Sequence, residues 1–505
     1  MTNMVSKTIR ALVVLSAASV FSANSALSQI KDSEYVARRT ALAQKLQNGI
    51  VVALGSPEPE EDFISFNQNS SFRYLTGFNE PEAALVMVVR NGAIEGLPML
   101  FVEPSDPARE VWTGHRLGIA GVKTTLGMEG RDAATLPKVI DSLASLGTTN
   151  TLFTVGNFSR GSGSVTTRDD QIVAGFLKNN PGLALKPANG EVANLRRIKT
   201  PAELDFIRRA VNISVTAQRE AMRLIEPGMN EFEVQGLIEY TFRRNGADRP
   251  SFSTIVGSGP NSTTLHYNTD DRYIEPDNVI VMDIGASYRG YAADVTRTVP
   301  ADGTFSDAQR DIYSAVRAAQ AAAEAAAKVN GPARALTDAA NASLGASLAK
   351  LGLIESAGAT YDCDAQASRQ CQQMGLYYMH SLGHGIGLDV HDPGAASGGG
   401  NLVPGSAFTI EPGIYVRSNL LDIIPNTPKN QAMIAKIRPA VQKYANIGVR
   451  IEDDYIATDN AVEWISKAPR EISEVEAMMK DKWTGPSPRD AATVEAYRST
   501  GRRVP

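Results

Sequence analysis

The chain has five histidines in 505 residues. Three of them, His380, His384 and His391, fall within LYYMHSLGHGIGLDVHDPG at 376–394. Their neighbours Leu382, Gly383, Gly385, Ile386, Gly387 and Leu388 are too apolar for an ordinary surface loop. An imidazole that is neutral near pH 7 can ligate a metal or carry a proton. Taken singly, each histidine reads equally well as a hydrogen-bonded core residue, and carboxylates elsewhere shift that balance. Asp283 sits in Val281-Met282-Asp283-Ile284, Asp294 in Ala292-Ala293-Asp294-Val295, Glu411 after Phe408-Thr409-Ile410, and Glu452 after Val449-Arg450-Ile451. Burying an acid is costly unless it is paired or metal-bound. Each acid alone has a bland reading: Asp283 as a turn or cap residue, Glu452 to Asp454 as a solvated acidic run. Together with His384 they make four carboxylates and one imidazole, whose charge balances two divalent cations. An oxygen-rich set with one nitrogen favours Mn, Co or Zn over a thiolate site. Two such ions about 3.5–4 Å apart activate water for attack on a carbonyl, which is hydrolase chemistry. No G-x-S-x-G or H-E-x-x-H occurs, so the serine and single-zinc alternatives lack support.

The elements that must position these residues follow from periodicity. In the first part of the chain, a helical pattern at 33–47 precedes apolar strands at 50–54, 83–89, 99–102 and 152–155, with a helical stretch at 133–145. Strands alternating with helices predict an α/β domain with a mixed sheet over 29–190. Helices are then expected at 191–212, 213–225 and 231–243, followed by a hairpin of 279–284 with 291–299. Ala-rich helices at 308–328 and 333–350, strands at 407–411 and 447–456, and a short closing helix at 474–478 complete an α+β second domain over 191–484. Residues 485–505 read as a surface tail.

Composition bounds the class. Hydrophobic residues make up 43% and charged residues 21%, with a net charge of -5; a nucleic-acid surface would want a basic excess. Residues 1–28 read as a secretory signal: Lys7 and Arg10, the apolar run Ala11 to Phe21, and small residues at Ala26-Leu27-Ser28. Cleavage after Ser28 and a periplasmic or secreted product without a stable membrane anchor are expected. The run is too short to span a bilayer. In an oxidising compartment, Cys363 and Cys371, the only two cysteines, are expected to pair.

Dispersed stretches, in order, give the chain its resemblance. They are Leu265-His266-Tyr267, Met282 to Gly285, Asp294 to Thr298, His380 to Gly394, Glu411-Pro412-Gly413 and Arg450 to Asp454, preceded by Phe66 to Pro81 and Arg109 to Gly114. Over about 33–480 the chain resembles the pita-bread metallopeptidases, and among them the aminopeptidase P type. The resemblance implies a pita-bread catalytic domain behind an amino-terminal domain that limits access and mediates assembly as a homodimer or homotetramer. It implies peptide substrates with proline in second position, and two divalent ions, Mn2+ first. Asp283 would chelate one ion, Asp294 and Glu452 would bridge, and His384 and Glu411 would complete the other site. Glu411 would be the general base; His266, His380 and His391 would assist at the substrate, Arg450 would shape the pocket and Tyr415 would lie beside the metals. A prolidase restricted to dipeptides is the rival, and the metal motifs do not separate the two. Segment 359–373 departs from the family by its length and its cysteines, which leaves the preferred substrate length open.

Overall fold

The protein is described from a computed structural model covering residues 30–61, 64–159 and 164–486. The expected signal segment, its cleavage position and nearly all of the expected tail lie outside the described residues.

The amino-terminal part is built on the run Gly49–Leu54, buried at every position. A strand apolar on both faces needs a layer on each side. Val51 and Ala53 pack into one cluster with Leu42 and Phe72 of the helices Asp32–Leu46 and Ser70–Thr76. Ile50, Val52 and Leu54 pack into another with Ile140 and Val173 of the helices Leu136–Ser145 and Arg168–Asn179. The central strand pairs antiparallel with Ala84–Arg90 and parallel with Thr151–Val155 in a six-stranded mixed sheet. The edge strands Glu129–Asp132 and Ala184–Pro187 were not anticipated. They contribute no fully buried side chain, so no apolar pattern marks them.

The connector differs from expectation. A short helix, Asn189–Arg196, is followed by one 24-residue helix, Pro201–Leu224, which runs through the predicted break at 212–213. The real break is set by a capping box between Thr200 and Glu203, with Pro201 in the first turn.

In the second domain Val279–Ile284 pairs with Val295–Pro300, and a small hairpin, Ala286–Tyr288 with Tyr291–Ala292, is inserted between them. The predicted single strand at 447–456 is two. Ile447–Arg450 pairs with Gly413–Val416, and Asp453–Ala457 pairs with Ala407–Ile410. Ile451 and Glu452 lie between them, where the Glu452 N–H donates to the Thr296 carbonyl at 3.1 Å. Helices Asp307–Ala326, Arg334–Lys350 and Pro428–Tyr444 complete the core; the last was not anticipated. Cys363 and Cys371 form a disulfide across the small hairpin Thr360–Asp362 with Gln370–Gln372. Among the described residues no helix is long and apolar enough to cross a membrane.

Candidate active site

Side-chain alternation decides which acids meet. On Val279–Ile284, Ile280, Met282 and Ile284 point into the core, leaving Asp283 on the opposite face, in register with Thr296 of the partner strand. Asp294, Thr296 and Thr298 share a face for the same reason. The Thr296 hydroxyl donates to Glu452 Oε2 at 2.7 Å and accepts from Arg450 Nε at 3.2 Å. Arg450 also donates to Asp283 Oδ2 at 2.6 Å and to the Tyr415 hydroxyl at 2.8 Å. That hydroxyl lies 2.9 Å from His380 Nε2, while His380 Nδ1 is 2.9 Å from the Ser381 carbonyl. A carbonyl only accepts, so Nδ1 carries the proton and Nε2 accepts from Tyr415.

His384 is fixed by the same logic. Its Nδ1 lies 3.0 Å from the Gly385 carbonyl, so Nε2 presents a lone pair. That nitrogen is 3.4 Å from Asp294 Oδ2, 3.4 Å from Glu411 Oε1 and 3.9 Å from Glu452 Oε1. Glycine on either side makes this approach possible. A Cβ at Gly383 would lie 2.1 Å from the Thr409 carbonyl oxygen, and one at Gly385 2.4 Å from that of Asp392. The histidine segment is thereby laid directly on the strand Ala407–Ile410, which leads into Glu411.

Electrostatics says what the cluster lacks. Asp283 Oδ1, Asp294 Oδ1 and Glu452 Oε1 are buried without a hydrogen-bond partner among the described residues. Burial, and then Glu452, Asp283 and Glu411 around it, hold the Asp294 carboxyl well above the usual range. Glu411 is driven up in the same way by burial, Glu452 and Asp283 against the pull of Arg450. Glu452 is pushed up to about 8 by burial and Asp283. Burial lowers His384 and His380 to about 4, with help from His391 and Arg450 respectively. Crowded acids that resist ionisation together, orphaned oxygens and a neutral imidazole fit a divalent cation. Asp294, His384 and Glu452 offer ligand atoms all within 4.8 Å of one another. Glu411 joins them through His384, and Asp283 borders them with one oxygen on Arg450 and one unpartnered.

Of the remaining residues singled out in the sequence, His391 is exposed and its ring centroid lies 4.2 Å from that of His384. His266 is also exposed, and its field helps to lower both His380 and His391. The acidic run after Arg450 is not a solvated face. Asp453 is fully buried against Arg297 at 2.6 Å and Arg470 at 2.9 Å, and Asp454 accepts from the Asp294 N–H at 3.2 Å.

Four supporting residues were given no role from the sequence. Thr296 braces Glu452; its signal was the D-x-T-x-T alternation after Ala293. Glu231, fully buried at the start of helix Glu231–Arg244, accepts from the N–H groups of Ser258 at 2.6 Å and Arg272 at 2.9 Å and from the Tyr267 hydroxyl at 2.8 Å. It therefore ties both ends of the loop bearing His266. Arg196 and Lys199, from the connector, hold buried Asp392 beside His391; the Lys199 contact is 2.9 Å.

The model of Metallopeptidase family M24 matches residues 205–459, half of the chain, and that of the aminopeptidase P N-terminal domain matches residues 35–153. The chain belongs to metallopeptidase family M24. Membership makes it a metal-dependent peptidase on the pita-bread fold with an aminopeptidase P-type first domain. It is similar to the Xaa-Pro aminopeptidase of Escherichia coli, 31% identical over 469 residues that cover 90% of this chain and 99% of the relative. It is also similar to the human Xaa-Pro dipeptidase, 30% identical over 468 residues, covering 86% and 89%. A solved structure of Escherichia coli aminopeptidase P in complex with substrate superposes with a TM-score of 0.74 at 29% identity, covering 90% of this chain and 99% of that one.

Proposed function

We propose that this M24 peptidase is an exported Xaa-Pro aminopeptidase that works with two divalent ions, Mn2+ in the first instance. It removes the first residue of peptides whose second residue is proline, and it acts as a homodimer or homotetramer. The observation that carries this reading is the convergence of Asp294, His384, Glu411 and Glu452, with Asp283 bordering them, in a chain that also carries the aminopeptidase P amino-terminal domain.

Asp283, Asp294, His384, Glu411 and Glu452 would hold the ions. Divalent cations there supply water activation and Lewis-acid polarisation of a carbonyl. The chain's own groups do the rest. Glu411, its basicity raised by burial, takes the proton of the attacking water and passes it to the leaving proline nitrogen. The proline nitrogen must gain a proton as its bond to the acyl carbon breaks, and this delivery supplies it. His266 and His391 are both exposed: His266 would stand near the substrate amine or scissile bond, and His391 would stabilise the tetrahedral intermediate and hold the proline carbonyl. Tyr415 fixes His380 as an acceptor through Nε2, and Arg450 holds one oxygen of Asp283 in place. The unpaired substrate amine is attracted by the acids.

The prolidase reading is favoured by one observation, the similarity to the human Xaa-Pro dipeptidase. Product analysis separates the two. The metal-stripped protein is reloaded with Mn2+, Co2+ or Zn2+ and offered Arg-Pro-Pro and Gly-Pro. Free Arg from the tripeptide with little dipeptide cleavage is expected. Cleavage of Gly-Pro alone transfers the protein to prolidase, and hydrolysis of neither overturns both.

A further inference from the structure

Apart from the histidine and carboxylate cluster, the described structure holds a cleft of about 700 Å³ between the two domains, with walls from both. Its chemistry is unusual for a domain junction: it is lined by five guanidinium groups, from Arg38, Arg73, Arg243, Arg249 and Arg289, and by the single carboxylate of Asp248.

Pairing does not remove this excess. Arg38 is matched by Glu203 at 3.2 Å, behind the wall. Arg73 spends one nitrogen on the Arg289 carbonyl at 3.0 Å, a contact that brings the Arg289 backbone toward Arg73 without neutralising either charge. Arg289 lies 5.8 Å and 5.9 Å from the ring centroids of Phe206 and Tyr288, and Phe206 and Tyr288 line the same cleft. Neither Arg73, Arg249 nor Arg289 has a carboxylate within ion-pair distance among the described residues. Asp248, the cleft's own acid, already accepts from the Gly290 N–H at 2.7 Å. Arg249 feels the imbalance: burial lowers its pKa, and Arg73 and Arg243 lower it further against Asp248 and Asp389. Guanidinium groups gathered in a partly dehydrated cleft repel one another and gain from a shared anion, which their planar donor forks bind bidentately.

We propose that this interdomain cleft is a binding site for a small multivalent oxyanion, of phosphate or polycarboxylate chemistry, held by Arg73, Arg249 and Arg289. The site is separate from the metal cluster but shares a wall with it. Leu388, which lies between His384 and His391 in sequence, lines the cleft. The next residue, Asp389, is held by Ser70 at 2.6 Å and Arg196 at 2.6 Å. An anion in the cleft therefore sits against the segment that carries the exposed His391, and it bridges the two domains electrostatically.

The test uses arginine-selective modification of the metal-loaded full chain by phenylglyoxal, read peptide by peptide in a mass spectrometer. It requires no variant and no assumption about the peptidase reaction. Rates at Arg73, Arg249 and Arg289 are compared with Arg334, whose side chain is 85% exposed outside the cleft. Probes are inorganic phosphate, tricarballylate, and chloride at matched ionic strength. Occupancy slows modification by about 1 + [L]/Kd, on the order of tenfold at ten times Kd. Slowing at the three cleft arginines but not at Arg334 by phosphate assigns phosphate chemistry, and by tricarballylate polycarboxylate chemistry. Equal rates with all three probes, or equal slowing by chloride, overturn the proposal. A second reading removes dependence on reactivity: the double variant R73Q/R249Q should lose the anion-induced rise in Tm that the parent shows, with its metal content unchanged.

Discussion

At the residue scale the cluster is a set of acids that cannot all ionise without cations. Two outcomes follow. In the metal-free protein, Glu452 carries a folded-state pKa of about 8 against an ordinary value of 4.5, so the folded state binds more protons than the unfolded chain between these limits. Stability must then fall as pH rises through that window. The Tm of metal-free protein should decrease from about pH 5 to about pH 8, whereas affinity for Mn2+ should increase because ions displace those protons. A flat Tm over the window would mean that Glu452 does not hold an extra proton in the folded, metal-free state. Second, Glu411→Gln should lower kcat by about 10²–10⁴ and loosen one ion, measured together by steady-state rates and metal content. A loss of metal with no further loss of rate on reloading would deny Glu411 its proton-transfer role.

At the element scale the loop 259–272 matters most, because it presents His266 to solvent and is held from below by Glu231. Glu231→Gln leaves the size of the side chain but places an NH2 group against donors that need an acceptor; leaving such groups unsatisfied costs about 1–3 kcal/mol each. The gentler Tyr267→Phe removes one of these bonds and keeps the ring. Hydrogen exchange at the amides of Ser258 and Arg272 should speed in Glu231→Gln, and Tyr267→Phe should lower kcat with metal content unchanged. Unaltered exchange in Glu231→Gln would show that the loop is held by other contacts. The nearby strand break between Ile447–Arg450 and Asp453–Ala457 is the other element that matters. It lets one continuous stretch of chain serve two partner strands and drops Glu452 into the space between them.

At the scale of the whole molecule, the amino-terminal domain and connector reach the histidine segment directly. Arg196 contacts both Asp389 and Asp392, and Asp392 is 2% exposed. Breaking a buried pair from one side costs about 3–5 kcal/mol, because the remaining charge stays buried. Lys199 stays on Asp392 at 2.9 Å, so Arg196→Met should destabilise the chain by less than that in urea unfolding. It should also raise KM more than it lowers metal content, since His391 is bonded to Asp392 in the chain while His384 is tied to it only through backbone hydrogen bonds at Gly385, which the substitution leaves in place. Equal loss of both would mean that the connector supports the whole cluster rather than its mouth.

Much of this was legible in the chain itself, and for definable reasons. Asp283, Asp294, Glu411 and Glu452 stood out because acids inside apolar strand runs are expensive, and His384 because glycine and leucine surrounded it. The central strands of the first sheet were visible since two-sided burial leaves an unbroken apolar run. Edge strands such as Ala184–Pro187 bury little and left no trace, and the connector break was misplaced because both halves share one helical pattern. What the tertiary structure alone decided is which atoms meet: that Thr296 faces Glu452, that Tyr415 joins Arg450 to His380, that Asp453 turns away to Arg297 and Arg470, and that arginines distant in sequence gather in one cleft. Residue type and local period set the cost of burying each group. Its partner is set by strand register and by the bend at Ile451 and Glu452, which arise only when distant segments pack.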